Sequence, residues 1–164
     1  LVREVGNDMP KNLAYIVFAV KHAKKAESFG FTRNQCCRNL KLALEHFWRK
    51  KTKGLSQKKN INRSVAAEGK ELSELQVEHI VPKTWFVDQL MDMKVKDLTQ
   101  KNVKNLLEKY YHVLLVTKDE HSKLGALGLR SKMPNKWDEK NIWARYDDVS
   151  IEVSDNVRLS VEKN

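Results

Sequence analysis

The chain is short of several things that would narrow its class at once. It has two cysteines in 164 residues, three prolines and six glycines. The cysteines, Cys36 and Cys37, are adjacent, and neighbouring cysteines seldom meet disulfide geometry. No second pair completes a CxxC zinc site, so both read as buried thiols of a reducing, intracellular and cytoplasmic setting. No run approaches the roughly 18 apolar residues of a membrane helix. The best candidate, "LAYIVFAV" at 13–20, is short and runs straight into "KHAKK". No charged segment leads into a long apolar stretch, so no secretory signal and no membrane role are read. Internal repeats are absent too.

What the chain has in excess is positive charge, +10 overall. Residues 1–70 hold 16 Lys or Arg against 5 Asp or Glu, a net of +11, whereas residues 71–164 hold 15 against 16, a net of −1. The densest stretch is "RKKTKGLSQKKNINR" at 49–63. A basic segment attached to a near-neutral remainder is the footprint of a part that meets a polyanion. Arg49, Lys50, Lys51, Lys53, Lys58, Lys59 and Arg63 are therefore the candidate phosphate contacts. Two regions are expected: a basic helical part at 1–65 and a chemistry-bearing part at 66–164, divided by the Gly/Ser/Asn/Lys connector at 51–65.

The first part reads as two helices. Pro10 suits a first turn, and Leu13, Ile16, Val17 and Val20 share one face up to about residue 27. Thr32 can cap a second helix carrying Cys36 or Cys37, Leu40, Leu44, Phe47 and Trp48. The second part mixes elements. A short helical stretch lies around "SVAAEGKEL", a strand over 75–81, helices over "TWFVDQLMDM" and "TQKNVKNLLEKYY", and a strand over 112–117. "KDEHSKLGALGL" is a helix capped by Thr117 or Asp119. "VSIEVSDNVRLSV" (149–161) alternates about Asp155-Asn156 and predicts a hairpin. The class is α+β, mostly helical, with a C-terminal β-hairpin. Trp137, Trp143, Arg145 and Tyr146 form a second basic-aromatic cluster, with the tryptophans assigned to packing.

Three of the five histidines follow the connector. His79 sits beside Glu78 in "QVEHIVPKTW", His112 opens the second strand, and His121 falls early in the following helix. Taken singly, each has a bland reading: a satisfied strand histidine, a salt-bridged glutamate, a surface helix residue. Taken together, they match the needs of phosphodiester cleavage with one divalent ion. That reaction needs donors for the ion, an imidazole to take a proton from water, and a group to orient that imidazole.

At this point the chain resembles the HNH endonucleases, which carry the ββα-metal motif. "VEHIVP" is similar to the end of their first strand. "HVLLVTKDEHSK" has the later spacing, with His121 nine positions after His112, where Asn is usual. The resemblance covers about residues 75–127. It implies that His79 is the general base and that Glu78 and His121 hold the ion. It further implies that His112 holds the His79 ring through its carbonyl or side chain, and that Lys123 and Lys118 meet flanking phosphates. The implied ion is Mg²⁺ or Mn²⁺ foremost, with Zn²⁺ or Ni²⁺ as alternatives. The implied partner is DNA, with RNA left open and a homodimer compatible with cutting both strands.

Three departures accompany it. The usual Asn is absent, with Asn102 or Asn105 as stand-ins from the neighbouring helix. The 32 residues between His79 and His112 exceed the compact motif, and structural zinc cysteines are missing. The competing readings are a non-catalytic nucleic-acid binder that uses the ββα shape for docking or a structural metal, and a zinc hydrolase of small molecules.

Overall fold

In the computed structural model, residues 9–51 and 61–162 are described, with side chains for all of them except 9 and 48–51. Helix α1 (Met9–Ser28) buries Leu13, Ile16, Val20 and Ala23, one stripe at helical spacing. Gly30, at φ +89°, turns the chain where a side chain would be strained. Thr32 then starts α2 (Arg33–Cys36) by a capping box: its hydroxyl accepts from the Gln35 amide, and the Gln35 side chain accepts from the Thr32 amide. Helix α3 (Arg38–Lys51) packs against α1 and buries Leu40, Ala43, Leu44 and Phe47. Cys36 and Cys37 are free and buried, in keeping with the packing role expected of them.

Two 3₁₀ turns, Val65–Ala67 and Leu72–Glu74, occupy the short helical stretch. Strand β1 (Leu75–His79) follows, then α4 (Lys83–Asp92) and α5 (Gln100–Tyr110), then β2 (Val113–Thr117) and α6 (Lys118–Ala126). β1 and β2 pair antiparallel, with Leu75 opposite Thr117 and His79 opposite Val113. β1 stops two residues before the expected end, although the Ile80 amide still donates to the His112 carbonyl at 2.9 Å. Pro82, which has no amide hydrogen, then leads into α4. On its outer side β2 takes a parallel bridge from Arg63, with Leu115 N–H donating to Asn62 O at 2.8 Å and Ser64 N–H to Leu115 O at 2.9 Å. Helices α7 (Ala144–Asp148) and α8 (Asp155–Glu162) complete the fold. The class is α+β: mostly helical, with a two-stranded antiparallel sheet among the described residues.

The C-terminal hairpin is not there. Asp155-Asn156 begin α8 instead of turning a ribbon, and the Ser154 carbonyl accepts from both Val157 and Arg158 amides at 3.0 Å. Val153, Val157 and Val161 lie four apart, a spacing that satisfies alternation and a helical stripe equally. As a helix the segment buries Val161 in the core, and no strand of the sheet pairs with it. Asp155 in the first turn also suits the helix dipole.

One apolar core runs from Leu13 to Val161, so the regions expected at 1–65 and 66–164 share it. Phe86 and Leu90 on α4 and Leu107 on α5, helices that both pack against α1, are fully buried, each contributing about 2 kcal/mol by area removed from water. The Tyr111 hydroxyl donates to the Leu44 carbonyl at 3.0 Å and ties α3 to the approach of β2. Among the described residues no helix is long and apolar enough to cross a membrane.

Candidate functional site

Neighbouring residues of a strand face opposite ways, and β1 uses this to separate Glu78 from His79. Glu78 is buried and turned towards α6. The start of that helix is fixed by a second capping box. The Thr117 hydroxyl accepts from the Glu120 amide at 3.1 Å, and buried Glu120 accepts from the Thr117 amide at 2.8 Å and the Ser64 hydroxyl at 2.7 Å. His121, the fourth residue of α6, is thereby held over the sheet, with Nδ1 2.7 Å from Glu78 Oε2. Its side chain keeps 27% of its surface in solvent, so the imidazole has a buried, partnered edge and a wet one.

The second oxygen of Glu78 belongs to Arg145. Nη2 of this residue donates to Glu78 Oε1 at 2.6 Å and also to the His79 carbonyl. Nε donates to Ile80 O at 2.9 Å, and Nη1 to Leu129 O at 2.7 Å and Arg130 O at 3.3 Å. The guanidinium is wholly buried, yet each of its three nitrogens has an acceptor. It ties the end of β1 to the segment after α6. In the sequence Arg145 stands out only as a member of the second basic-aromatic cluster. Its one signal is its place in the apolar run "IWARY", where an uncompensated guanidinium would be costly.

His79 faces the helices. Its ring lies against Tyr111, centroids 5.1 Å apart at 53°, and Tyr111 in turn packs edge-on to Phe86 and Phe47. Burial, followed by the Lys83 charge, lowers the imidazole pKa to about 4. The ring is therefore neutral near pH 7, and its surroundings disfavour the protonated form. Lys83 Nζ sits 2.8 Å from Glu45 Oε2, so this side of the strand also carries an ion pair. His112 is half-buried, and its carbonyl fixes the backbone just beyond His79 through Ile80 N–H. Thus Glu78 and His121 are brought into contact, while the rings of His79 and His121 have different neighbours.

Among the described residues no group of three or more His, Cys, Asp or Glu side chains is placed to hold a metal ion. Glu78 and His121 make a two-donor set. Adjacent ligands of an octahedral Mg²⁺-type ion stand about 3 Å apart, with waters and substrate phosphate completing the shell. Here the two atoms face each other in a 2.7 Å hydrogen bond, which an ion would have to replace. The Arg145 charge on Glu78 opposes the ion and favours an anionic co-ligand such as phosphate.

The other candidates are dispersed. Asn102 is exposed and engaged at the start of α5, its side chain donating to Asp97 O at 2.8 Å, and Asn105 is exposed on that helix. Lys118 and Lys123 are exposed on α6. Arg63 is half-buried, with Nη1 on the carbonyls of Ala67 and Lys70 at 3.0 and 2.8 Å. The side chains of Arg49, Lys50 and Lys51, and all of Lys53, Lys58 and Lys59, lie outside the described residues. Trp137 packs edge-on to Trp85 and Tyr110, and Trp143 is buried, which are packing roles as expected.

Comparison of the chain with protein families, with curated proteins and with solved structures finds no match in any of the three.

Proposed function

We propose that the protein is a metal-dependent endonuclease of the HNH type, hydrolysing phosphodiester bonds of DNA. The observation that carries this is the Glu78–His121 contact at 2.7 Å, made between the end of β1 and the first turns of α6 with His79 next in the strand. In this reading Glu78 and His121 hold one divalent ion, which supplies positive charge to the scissile phosphate. His79, next to Glu78 in the strand, would take the proton of the attacking water, against the burial that disfavours its charged form. The His112 carbonyl holds the backbone after His79, Arg145 fixes the Glu78 carboxylate, and Lys118 and Lys123 meet flanking phosphates. The basic run at 49–63 adds salt-sensitive affinity without sequence preference.

The test is nicking of supercoiled plasmid at low salt with Mg²⁺, Mn²⁺, Ni²⁺ or Zn²⁺. Cleavage that disappears in His79→Ala and Glu78→Gln, both still folded by circular dichroism, supports the reading. No cleavage with any of the four ions removes it.

A second reading, a non-catalytic nucleic-acid binder, is favoured by one observation. Both oxygens of Glu78 already have partners in a buried network, and the two histidine rings look to opposite sides of β1. Salt-dependent DNA binding without metal-dependent cleavage would select it.

A further inference from the structure

The end of α1 and the start of α2 carry a surface that neither the ββα unit nor the basic run at 49–63 explains. Phe18, Phe29 and Phe31 are 63%, 72% and 56% exposed. Phenylalanine is normally among the most buried residues, and here three lie on one lobe. Phe29 and Phe31 flank Gly30, whose positive φ makes the tight turn that lets both rings line one cleft of about 670 Å³. The turn is held firmly: the Thr32 capping box follows Phe31 at once, and buried Cys36 directs its thiol to the Phe31 carbonyl. The third ring, Phe18, stacks on His22, centroids 6.2 Å apart at 25°, and His22 lines the same cleft.

The charged groups in the cleft are of one sign. Lys25 and Arg38 line it with His22, the amides of Gln35 and Asn39 stand among them, and no carboxylate does among the described lining residues. Over residues 10–42 the chain has seven Lys or Arg and one acid, Glu27, which is held by Arg33 at 3.1 Å. A protein partner is a poor match, because lysine is depleted from the centre of protein interfaces, whereas here it stands among the rings. Flat apolar rings interleaved with cations complement a chain of unpaired bases joined by phosphates. Bases in an intact duplex are stacked and paired, and offer no face to a phenylalanine.

We infer that this cleft binds single-stranded nucleic acid, with bases stacked on Phe29, Phe31 and Phe18 and phosphates met by Lys25 and Arg38. The inference does not depend on cleavage at Glu78 and His121, and its test is run in a chelator so that the two can fail separately.

The whole protein is titrated against fluorescent oligothymidylate and oligouridylate, with an unlabelled duplex as competitor, over a range of salt. Tighter binding of the single strands than of the duplex is expected, and the stronger of the two oligomers tells DNA from RNA. Phe29→Ala/Phe31→Ala lowers single-strand affinity at least about tenfold, while Phe29→Tyr/Phe31→Tyr retains it, because stacking needs only a ring. Lys25→Ala/Arg38→Ala lowers the slope of log affinity against log salt by about 1.4, the value for two lost phosphate contacts on a single strand. All four side chains are on the surface, so the variants should melt like the parent. Unchanged affinity in the alanine pair overturns the inference, as does absence of single-strand binding at low salt. Self-association that the alanine pair abolishes, with oligonucleotide binding intact, also overturns it and assigns the cleft to a second copy of the chain.

Discussion

Arg145 and Glu78 are separated by 67 residues in the chain and meet at 2.6 Å, the guanidinium fully buried and the carboxylate nearly so. Such a pair need not stabilise the fold relative to apolar residues of equal volume, but breaking it from one side is costly. Arg145→Met is expected to destabilise the protein by about 3–5 kcal/mol, since it orphans a buried carboxylate and several carbonyls. Arg145→Lys should rescue little, because an ammonium cannot reach acceptors on several sides at once. Urea denaturation measures both. Recovery of stability in Glu78→Gln/Arg145→Met would confirm that the unpaired charge is the damaging term, and a neutral Arg145→Met would refute the account.

His79 makes stability depend on pH. Its pKa falls from the model-peptide value of 6.5 unfolded to about 4 folded, so the unfolded chain binds the proton more readily. The associated stability is complete above about pH 6.5 and is lost as pH falls towards 4, amounting to about 3 kcal/mol. Urea midpoints taken between pH 4 and 8 should show this loss, and His79→Leu should flatten it. If nuclear magnetic resonance finds the His79 ring charged at pH 6, the prediction fails.

Thr117 sets where α6 begins. Thr117→Val keeps the shape of the side chain but removes the hydroxyl that the Glu120 amide uses, at a cost of about 1 kcal/mol. Because His121 lies one residue further on, plasmid nicking should fall by more than the stability loss accounts for. Equal activity at temperatures well below unfolding would show that the cap does not position the histidine.

Removal of either candidate donor should remove the ion. Isothermal titration with Mn²⁺ should give binding to the parent protein, strengthened by a phosphate-containing ligand, and none to Glu78→Gln or His121→Ala. Binding that survives in both variants would move the metal elsewhere.

Tyr111 and Tyr146 should stay protonated in alkali. Burial raises both phenols well above their usual range, with Glu45 adding to the effect at Tyr111 and Arg145 opposing it at Tyr146. Ultraviolet titration of the folded protein should therefore register two of the four tyrosines only as it unfolds.

The elements with a strong local period were legible in the chain. Leu13, Ile16 and Val20 define α1, and Thr117 caps α6 as expected, whereas Thr32 caps only the short α2 and the stripe from Leu40 to Phe47 falls on the separate helix α3. Glu78 and His121 could be paired because a strand and a capped helix confine them to one end of a small unit. The C-terminal segment could not be read, because valines four apart satisfy two periods and only tertiary burial decides between them. Arg145 escaped for a different reason. Its value lies in five acceptors on two distant stretches of chain, 78–80 and 129–130, and no local pattern encodes that convergence.

That convergence makes the sheet and α6 a dependent part of the fold and not a portable cassette. A fragment ending after α6 would contain Glu78, His79, His112 and His121 and both strands of the sheet. It would still leave one acidic oxygen and the backbone turn at Ile80 without the cation that neutralises and clasps them. Transplanting β1, β2 and α6 into another protein would therefore have to carry α7 along, or supply a new counterion in its place.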